Sequence, residues 1–509
     1  MYHSDPCCLP GPTTRIGSGT QLIILAQNPR FVNSVIPGYT LVMPELFDPI
    51  FEKWQKEQAF LASQKEQHPE LFIRTEGLEI LEQLTRVGIV LPVQPLVKGF
   101  IKYHPFDFIV EERLSDGTIV SIDVNSSPVS SQPAPFFRAD LVKVGISTID
   151  AIRELARKLN IKETQVGYGG VKDAIALTSQ RISVSKVSLD QLQTLPNSNF
   201  YLKNIQSAQE AMSMNNILGN RFTIFIRTQE QVDEEKLVQR LTQIQAEGFW
   251  NFYWLQRFGN RLLSHWWGLL LLQGKEEKTV RSYLCDPGPG ELPFFSQLRK
   301  QANQQFGNWE EIIKLYEPFG FSLRFELLLL NYLKEFRHDY TGALRSISEQ
   351  VKMWIYAYSS FVFNKVLSLA AADKFQVPTN LPLLLSNDPK DREVYRQFLE
   401  MDKIPLDFAQ KIKRFDFIRF TLRYVETKLL PKILGYKILP EGVIISFDLP
   451  KGAYATTFLS HLFTLEGSLA SVVNPKKYDL KQVLGTGTMD PALKKLEKFI
   501  VARESESEE

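Results

Sequence analysis

Cysteine is scarce. The 509 residues hold three, Cys7 and Cys8 adjacent in a Pro/Gly-rich stretch and Cys285 alone, which supplies neither a disulfide framework nor metal-ligand spacing. A reducing compartment fits that usage. An excess of either charge is also missing: 59 Lys and Arg against 57 Asp and Glu leave a net charge of +2, so any nucleic-acid contact must come from a local patch. Long apolar runs are absent as well, and Gly268 to Leu272 after Trp266 and Trp267 falls far short of the roughly 20 residues of a membrane span. Met1 to Arg15 has no basic segment leading into an apolar one. No membrane contact is expected, and the cytoplasm is the expected location. The six histidines (His3, His68, His104, His265, His338, His461) show no metal-binding spacing, and no Ser or Cys sits in a nucleophile elbow. Metal hydrolysis and Ser or Cys nucleophilic catalysis are therefore unsupported, which leaves a carboxylate for chemistry.

What is present is an ordinary globular composition, 44% hydrophobic and 23% charged with 12% aromatic residues, in a chain long enough for about three domains. Residues 1 to about 20 and Glu504 to Glu509 carry no periodicity and are expected to be mobile. Between Phe47 and Gly88 apolar residues recur at helical spacing (Phe51, Trp54, Phe60, Leu78, Leu81, Leu84), which predicts a helical N-terminal extension. From Gly99 the pattern turns extended, with Phe106, Phe108 and Val110 ahead of a turn at Ser115-Asp116-Gly117, so a sheet-containing domain begins there. Ser147 and Asp150 form a capping box before Ile152, Leu155 and Leu159. Arg221 to Arg227 alternates as a strand, and Asp233 to Glu247 follows as a helix closed by Gly248. Residues 280 to 420 are mainly helical with Pro-rich breaks, as an inserted domain would be, and Val443 to Leu449 resumes strand character.

Three segments stand out, each with a plainer alternative. Tyr168-Gly169-Gly170-Val171-Lys172-Asp173 is a Gly-rich turn presenting a carboxylate, a plausible active-site loop; the alternative is an Asp that only caps the next element. Asn251-Phe252-Tyr253-Trp254-Leu255-Gln256-Arg257-Phe258 interleaves flat rings with amides and an Arg, suited to stacking on unpaired bases; the alternative is a buried aromatic strand. Lys411, Lys413, Arg414, Arg419, Arg423, Lys428 and Lys432 face only Asp416 and Glu426, with aromatics between them, enough local charge for several phosphates; the alternative is a solvated helix face.

Taken in order, these segments resemble the TruD family of tRNA pseudouridine synthases. Lys102 through Pro105, Asp107, Phe108, Val110 and Glu112 is similar to the family's opening motif. Thr148, and Gly170-Val171-Lys172-Asp173 through Thr178 and Gln180, resemble the motif that carries its catalytic acid. Gly219-Asn220-Arg221-Phe222, then Asn251 with Gln256-Arg257-Phe258-Gly259, and finally Leu449-Pro450-Lys451-Gly452-Ala453-Tyr454 match its later motifs, over about residues 98 to 462. The chain departs from the pattern at Ala174, where the family has Arg or Lys, at Trp254, where it has Gly, and at Asn216, where His is common.

The resemblance implies an α+β fold: a pseudouridine synthase-like catalytic domain with an antiparallel or mixed sheet, an inserted mainly helical TRUD-type domain, and an N-terminal extension. The divisions expected are 1–97 for the extension, 98–280 and 423–500 for the two parts of the catalytic domain, 281–422 for the insertion and 501–509 for an acidic tail. It implies an isomerase that turns a uridine into pseudouridine with neither metal nor cofactor, with tRNA as partner, other RNA as a further candidate and a monomer favoured. Asp173 would be the catalytic carboxylate, acting either as nucleophile at C1′ or as base at the sugar. Lys102, Phe108, Lys172, Asn251, Tyr253, Gln256, Arg257, Arg419 and Arg423 would bind substrate: Phe108 and Tyr253 lining the uracil pocket, Asn251 on its polar edge, Lys102, Arg419 and Arg423 on the RNA backbone. Lys172 is expected on phosphate or loop backbone and not on Asp173, because neighbours in an extended segment point to opposite faces; Arg257 is an alternative cation for Asp173, brought in by the fold. The competing reading is an RNA-binding protein of the same fold with reduced or lost turnover, motivated by Ala174 and Trp254.

Overall fold

A computed structural model of the chain describes residues 39–41, 49–73, 78–92, 94–123, 134–289, 291–384, 393–404, 412–417, 424–466 and 476–502. Both ends expected to be mobile lie outside these residues.

Seven strands form the path of an 11-stranded sheet. They are β1 (Phe108–Leu114), β2 (Phe136–Lys143), β3 (Leu177–Ser185), β4 (Phe200–Ala208), β5 (Ile217–Thr228), β6 (Lys432–Leu439) and β7 (Gly442–Pro450). Their order across the sheet is β6-β7-β5-β1-β3-β2-β4, and short strands extend its margins. Alternation along β5 explains why both faces are buried: Phe222, Ile224 and Ile226 enter one apolar core, while Phe225 enters the other. On the first face lie the helix Glu234–Glu247, capped by Asp233 and ended by Gly248, and the short helix Ala455–Ser460. On the second lie Leu480, Met489, Ala492 and Leu496 of the C-terminal segment, fixed by Lys481, which pairs with Glu111 and Asp123 at 2.8 Å each.

One pairing departs from the antiparallel rule of the seven-strand path. β1 and β3 run parallel, Ile109 opposite Leu177 and Glu111 opposite Ser179, while β2 runs antiparallel to β3 with Lys143 opposite Thr178. The residues before β1, the residues before β3 and the last residue of β2 therefore meet at one edge of the sheet.

The helical part is built on Ser264–Leu272 packed against Ser348–Ala371. Gly268 allows the approach, since a Cβ there would lie 2.1 Å from the Trp354 carbonyl oxygen. Trp267, Tyr283 and Trp354 pack ring to ring within this core. The core also takes in Leu61, Leu84, Val87 and Ile89, so the helices Pro49–Gln67 and Ile80–Arg86 are seated on the helical layer. Glu57 accepts from the backbone N–H groups of Phe321 and Ser322 at 3.0 and 2.9 Å, and burial pushes its carboxyl above the ordinary value. The fold is thus α+β, a mixed sheet with a helical layer beside it. Among the described residues no helix is long and apolar enough to cross a membrane.

Candidate active site

Residues 169–176, which carry Asp173, belong to no helix or strand and make no turn or loop backbone hydrogen bond among the described residues. Side chains hold them instead. Thr148, the first residue of a helix whose N-cap Ser147 accepts from Asp150 N–H, accepts from the Lys172 N–H at 2.8 Å. It donates in turn to Gln180 Oε1 at 2.7 Å, and Gln180 Nε2 donates to the Gly170 carbonyl at 2.9 Å. Lys143 donates to the carbonyls of Ile146 and Asp173 at 2.9 and 2.7 Å. Gly169 is required by close approach, because a Cβ there would lie 2.2 Å from the Ile217 side chain.

Lys172 and Asp173 point to different surroundings, as neighbours in an extended segment do. Lys172 turns inward to Glu112 of β1 at 2.6 Å, and Glu112 also accepts from the Arg181 N–H at 3.0 Å. Both members of that pair are buried, so Lys172 reaches neither phosphate nor loop backbone through its ammonium, contrary to the expectation. Asp173 faces outward with a quarter of its side chain exposed and is ion-paired through Oδ2 with Lys102; its Oδ1 accepts from the Ile175 N–H at 3.2 Å.

The cation beside Asp173 is thus Lys102 and not Arg257. Lys102 holds a left-handed backbone at φ 58, a sparsely populated conformation for a side-chain-bearing residue. Its ammonium stands 4.6 Å from the centre of the Phe108 ring, a cation–π distance. Phe108 is 4% exposed and belongs to the core of the first face. Below Lys102, Asp107 is buried against Arg227 in a two-pronged pair at 2.8 and 2.9 Å. Burial pushes the Asp107 carboxyl up, and the guanidinium opposes that.

Arg221 of the Gly-Asn-Arg-Phe strand makes a similar fork on Asp448 of β7 at 2.8 and 3.1 Å. Gly219 lets β5 and β7 close upon each other, since a Cβ would meet the Leu449 carbonyl oxygen at 2.1 Å.

The second predicted segment is held by the helical layer. Asn364 accepts from the Tyr253 N–H at 2.8 Å and donates to the Tyr253 and Val87 carbonyls at 2.9 and 3.0 Å. Asn251 donates its amide nitrogen to the Glu426 carbonyl at 2.9 Å. A carbonyl can only accept, so the Asn251 NH2 group is fixed and its Oδ1 is left to accept. Arg257 donates to Ser360 Oγ at 3.1 Å and lies over the Tyr253 ring at 5.1 Å; Gln256 is exposed. Trp254 packs into the helical core and Ala174 is buried beside Asp173. A row of ring contacts joins the two segments beneath the surface, running from Phe108 through Phe222, Phe447, Phe458, Phe249 and His461 to Phe252.

The structure therefore brings together Lys102, Phe108 and Asp173, and holds Asn251, Tyr253 and Arg257 together on the other segment. Of the basic stretch, Lys411, Arg419 and Arg423 lie outside the described residues. Arg414 is paired with Glu276, and Lys428 stands 4.6 Å from the Trp250 ring centre. A cavity of about 480 Å³ lined by Gly274–Lys278 and His338–Thr341 contains none of the expected site residues. Among the described residues no group of three His, Cys, Asp or Glu side chains is placed to hold a metal. The sequence reading missed Lys143, whose only signal is a lone cation closing the apolar run Leu141-Val142.

Comparison with known proteins decides the family. Residues 91–382, more than half of the chain, match the family model described as tRNA pseudouridine synthase D (TruD). The chain belongs to the TruD family. It is an isomerase of the pseudouridine synthase type. Among relatives, "Probable tRNA pseudouridine synthase D 1" of Methanocaldococcus jannaschii is 27% identical over 381 residues, covering 71% of this chain and 94% of the relative. "Probable tRNA pseudouridine synthase D" of Pyrobaculum aerophilum is 28% identical over 393 residues, covering 71% and 91%. The crystal structure of the putative TruD from Methanosarcina mazei aligns with a TM-score of 0.59 at 20% identity, covering 75% of this chain and 98% of that one. That last likeness bears on the TruD fold alone.

Proposed function

We propose that this TruD chain converts a specific uridine of tRNA to pseudouridine, with Asp173 as the essential carboxylate. The reaction breaks the N1–C1′ bond, turns the uracil and forms C5–C1′; C5 gives up a proton and N1 gains one, so nothing is oxidised or reduced. The observation that carries the reading is the outward-facing Asp173 ion-paired with Lys102 above the Phe108 ring. Either role, attack at C1′ or proton removal at the sugar, needs a carboxylate held in place and reachable from outside, and the lysine holds this one. A stacked uridine must first be extruded, at a cost of a few kcal/mol. Tyr253 offers a partly exposed ring for that base, and Asn251 Oδ1 offers an acceptor suited to the uracil N3–H.

Support for tRNA comes from the names that the matching family and relatives carry. The division into catalytic parts at 98–280 and 423–500, with an insertion at 281–422, and a cytoplasmic location belong to the same proposal. In the deciding experiment, tRNA is incubated with wild type and Asp173→Ala, and pseudouridine is read by carbodiimide adducts and primer extension. Conversion of a defined uridine by wild type, with binding but no conversion by Asp173→Ala, is the expected result. Tight binding by wild type with no pseudouridine in tRNA, rRNA or mRNA pools would replace this reading with that of an RNA-binding protein.

A further inference from the structure

Lys143 is the last residue of β2 and none of it is exposed. Among the described residues it pairs with no carboxylate. Its Nζ faces three backbone carbonyls: Asp173 at 2.7 Å, Ile146 at 2.9 Å and Lys172 at 3.5 Å. The carbonyls of Lys172 and Asp173 belong to the two peptide planes on either side of the Asp173 Cα. Holding both planes fixes the direction of the Cα–Cβ bond that carries the carboxylate, in a loop without regular backbone bonds, and Lys102 and the Ile175 N–H then hold the carboxylate itself.

We propose that Lys143 is a positioning residue for the reaction, its buried ammonium aiming the Asp173 carboxylate by gripping the peptide planes that flank it. This rests on the synthase reading above.

A buried charge without a carboxylate is expensive, and an apolar side chain of similar length would suit an apolar strand end better. The ammonium offers three donors for the three carbonyls, which an apolar side chain would leave without that partner. The charged groups whose fields reach it are Asp173, Lys172, Asp150 and Lys102. Burial pulls its pKa down to about 7, opposed by Asp173 and Asp150 and aided by Lys172 and Lys102. Above that pH the amine keeps two donors for three carbonyls, and the grip on the loop weakens.

The test uses the full chain and an in vitro transcribed tRNA that wild type converts, with single-turnover rate, tRNA Kd and thermal midpoint measured together. Lys143→Met is expected to fold and to bind tRNA with unchanged Kd while its saturating rate falls about a hundredfold, the usual scale for a misplaced reacting group. Lys143→Arg, which keeps a cation on the same carbonyls, is expected to recover most of that rate. A folded Lys143→Met with the wild-type rate overturns the inference alone; a wild type that converts no uridine overturns the synthase reading as well. Should Lys143→Met fail to fold, the wild-type pH profile decides: a saturating rate that falls above about pH 7 supports the inference, and a flat one overturns it.

Discussion

Lys102 and Asp173 are separated by 71 positions in the chain, yet their side chains form an outward-facing ion pair at the end of the sheet where β1 and β3 run parallel. Each residue lies in the segment that leads into its strand, so parallel pairing delivers both to the same end of the sheet. The lysine stands over Phe108 and the carboxylate faces solvent, so the pair is open to a substrate while its base is packed.

If Lys102 serves the carboxylate, Lys102→Met lowers the saturating single-turnover rate by about 10²-fold and leaves tRNA affinity nearly unchanged. Were Lys102 chiefly a contact to the RNA backbone, Kd would rise and the saturating rate would stay at the wild-type level. Rapid-quench kinetics over a range of enzyme concentrations separates the two outcomes.

Glu112 and Lys172 form a buried pair that ties the loop carrying Asp173 to β1. Glu112→Gln leaves a buried ammonium short of its counter-charge and should cost about 3–5 kcal/mol of stability, read as a lower denaturation midpoint in urea. The double variant Glu112→Gln/Lys172→Met should recover part of that loss. A double variant whose loss equals the sum of the Glu112→Gln and Lys172→Met losses would mean that the two side chains act independently.

His104 and His461 are buried and His265 is half-buried, and each imidazole is held neutral. Burial brings His104 and His265 down to about 3 and His461 to about 4, against about 6.5 in an unfolded chain. As pH falls the unfolded chain takes up protons first, so this contribution to stability is complete above about pH 6.5 and is lost progressively toward pH 4. At pH 5 the loss is on the order of 2 kcal/mol for each imidazole. The raised carboxyls of Asp107 and Glu57 act in the opposite direction: their contribution is complete below the ordinary carboxylate value near 4 and is lost as pH rises through their raised folded values. Unfolding free energies at pH 7 and pH 5 should therefore differ by several kcal/mol, and His265→Gln should narrow the difference. Equal stabilities at the two pH values would refute the assignment.

At Gly219 a methyl group would meet the Leu449 carbonyl oxygen at 2.1 Å and the Pro450 Cα at 3.0 Å, both backbone atoms that cannot turn aside. Gly219→Ala should separate β5 from β7 next to the Arg221–Asp448 fork and destabilise the fold by about 2 kcal/mol or more. Thermal unfolding followed by circular dichroism checks this; a midpoint equal to wild type would show that the strands have room after all.

Local features were set by the sequence itself. The alternation of Phe222, Ile224 and Ile226, the Ser147 cap and the Asp233 to Gly248 helix follow from side-chain period, capping chemistry and the freedom of glycine, and the motifs singled out Lys102, Asp173 and Asn251 as candidates. What each of them touches was decided only by the tertiary structure. A period-two pattern says which face a residue takes but not which strand lies alongside or in which direction it runs. The parallel pairing of β1 and β3 gave Asp173 to Lys102 instead of Arg257, turned Lys172 inward to Glu112, and set the end of β2 under the loop. The Arg221–Asp448 fork joins positions 227 apart. Such contacts form only once the sheet register has closed the loops between them, and for that reason Lys143, plain in the sequence as one lysine after an apolar run, acquires its three carbonyls only in the fold.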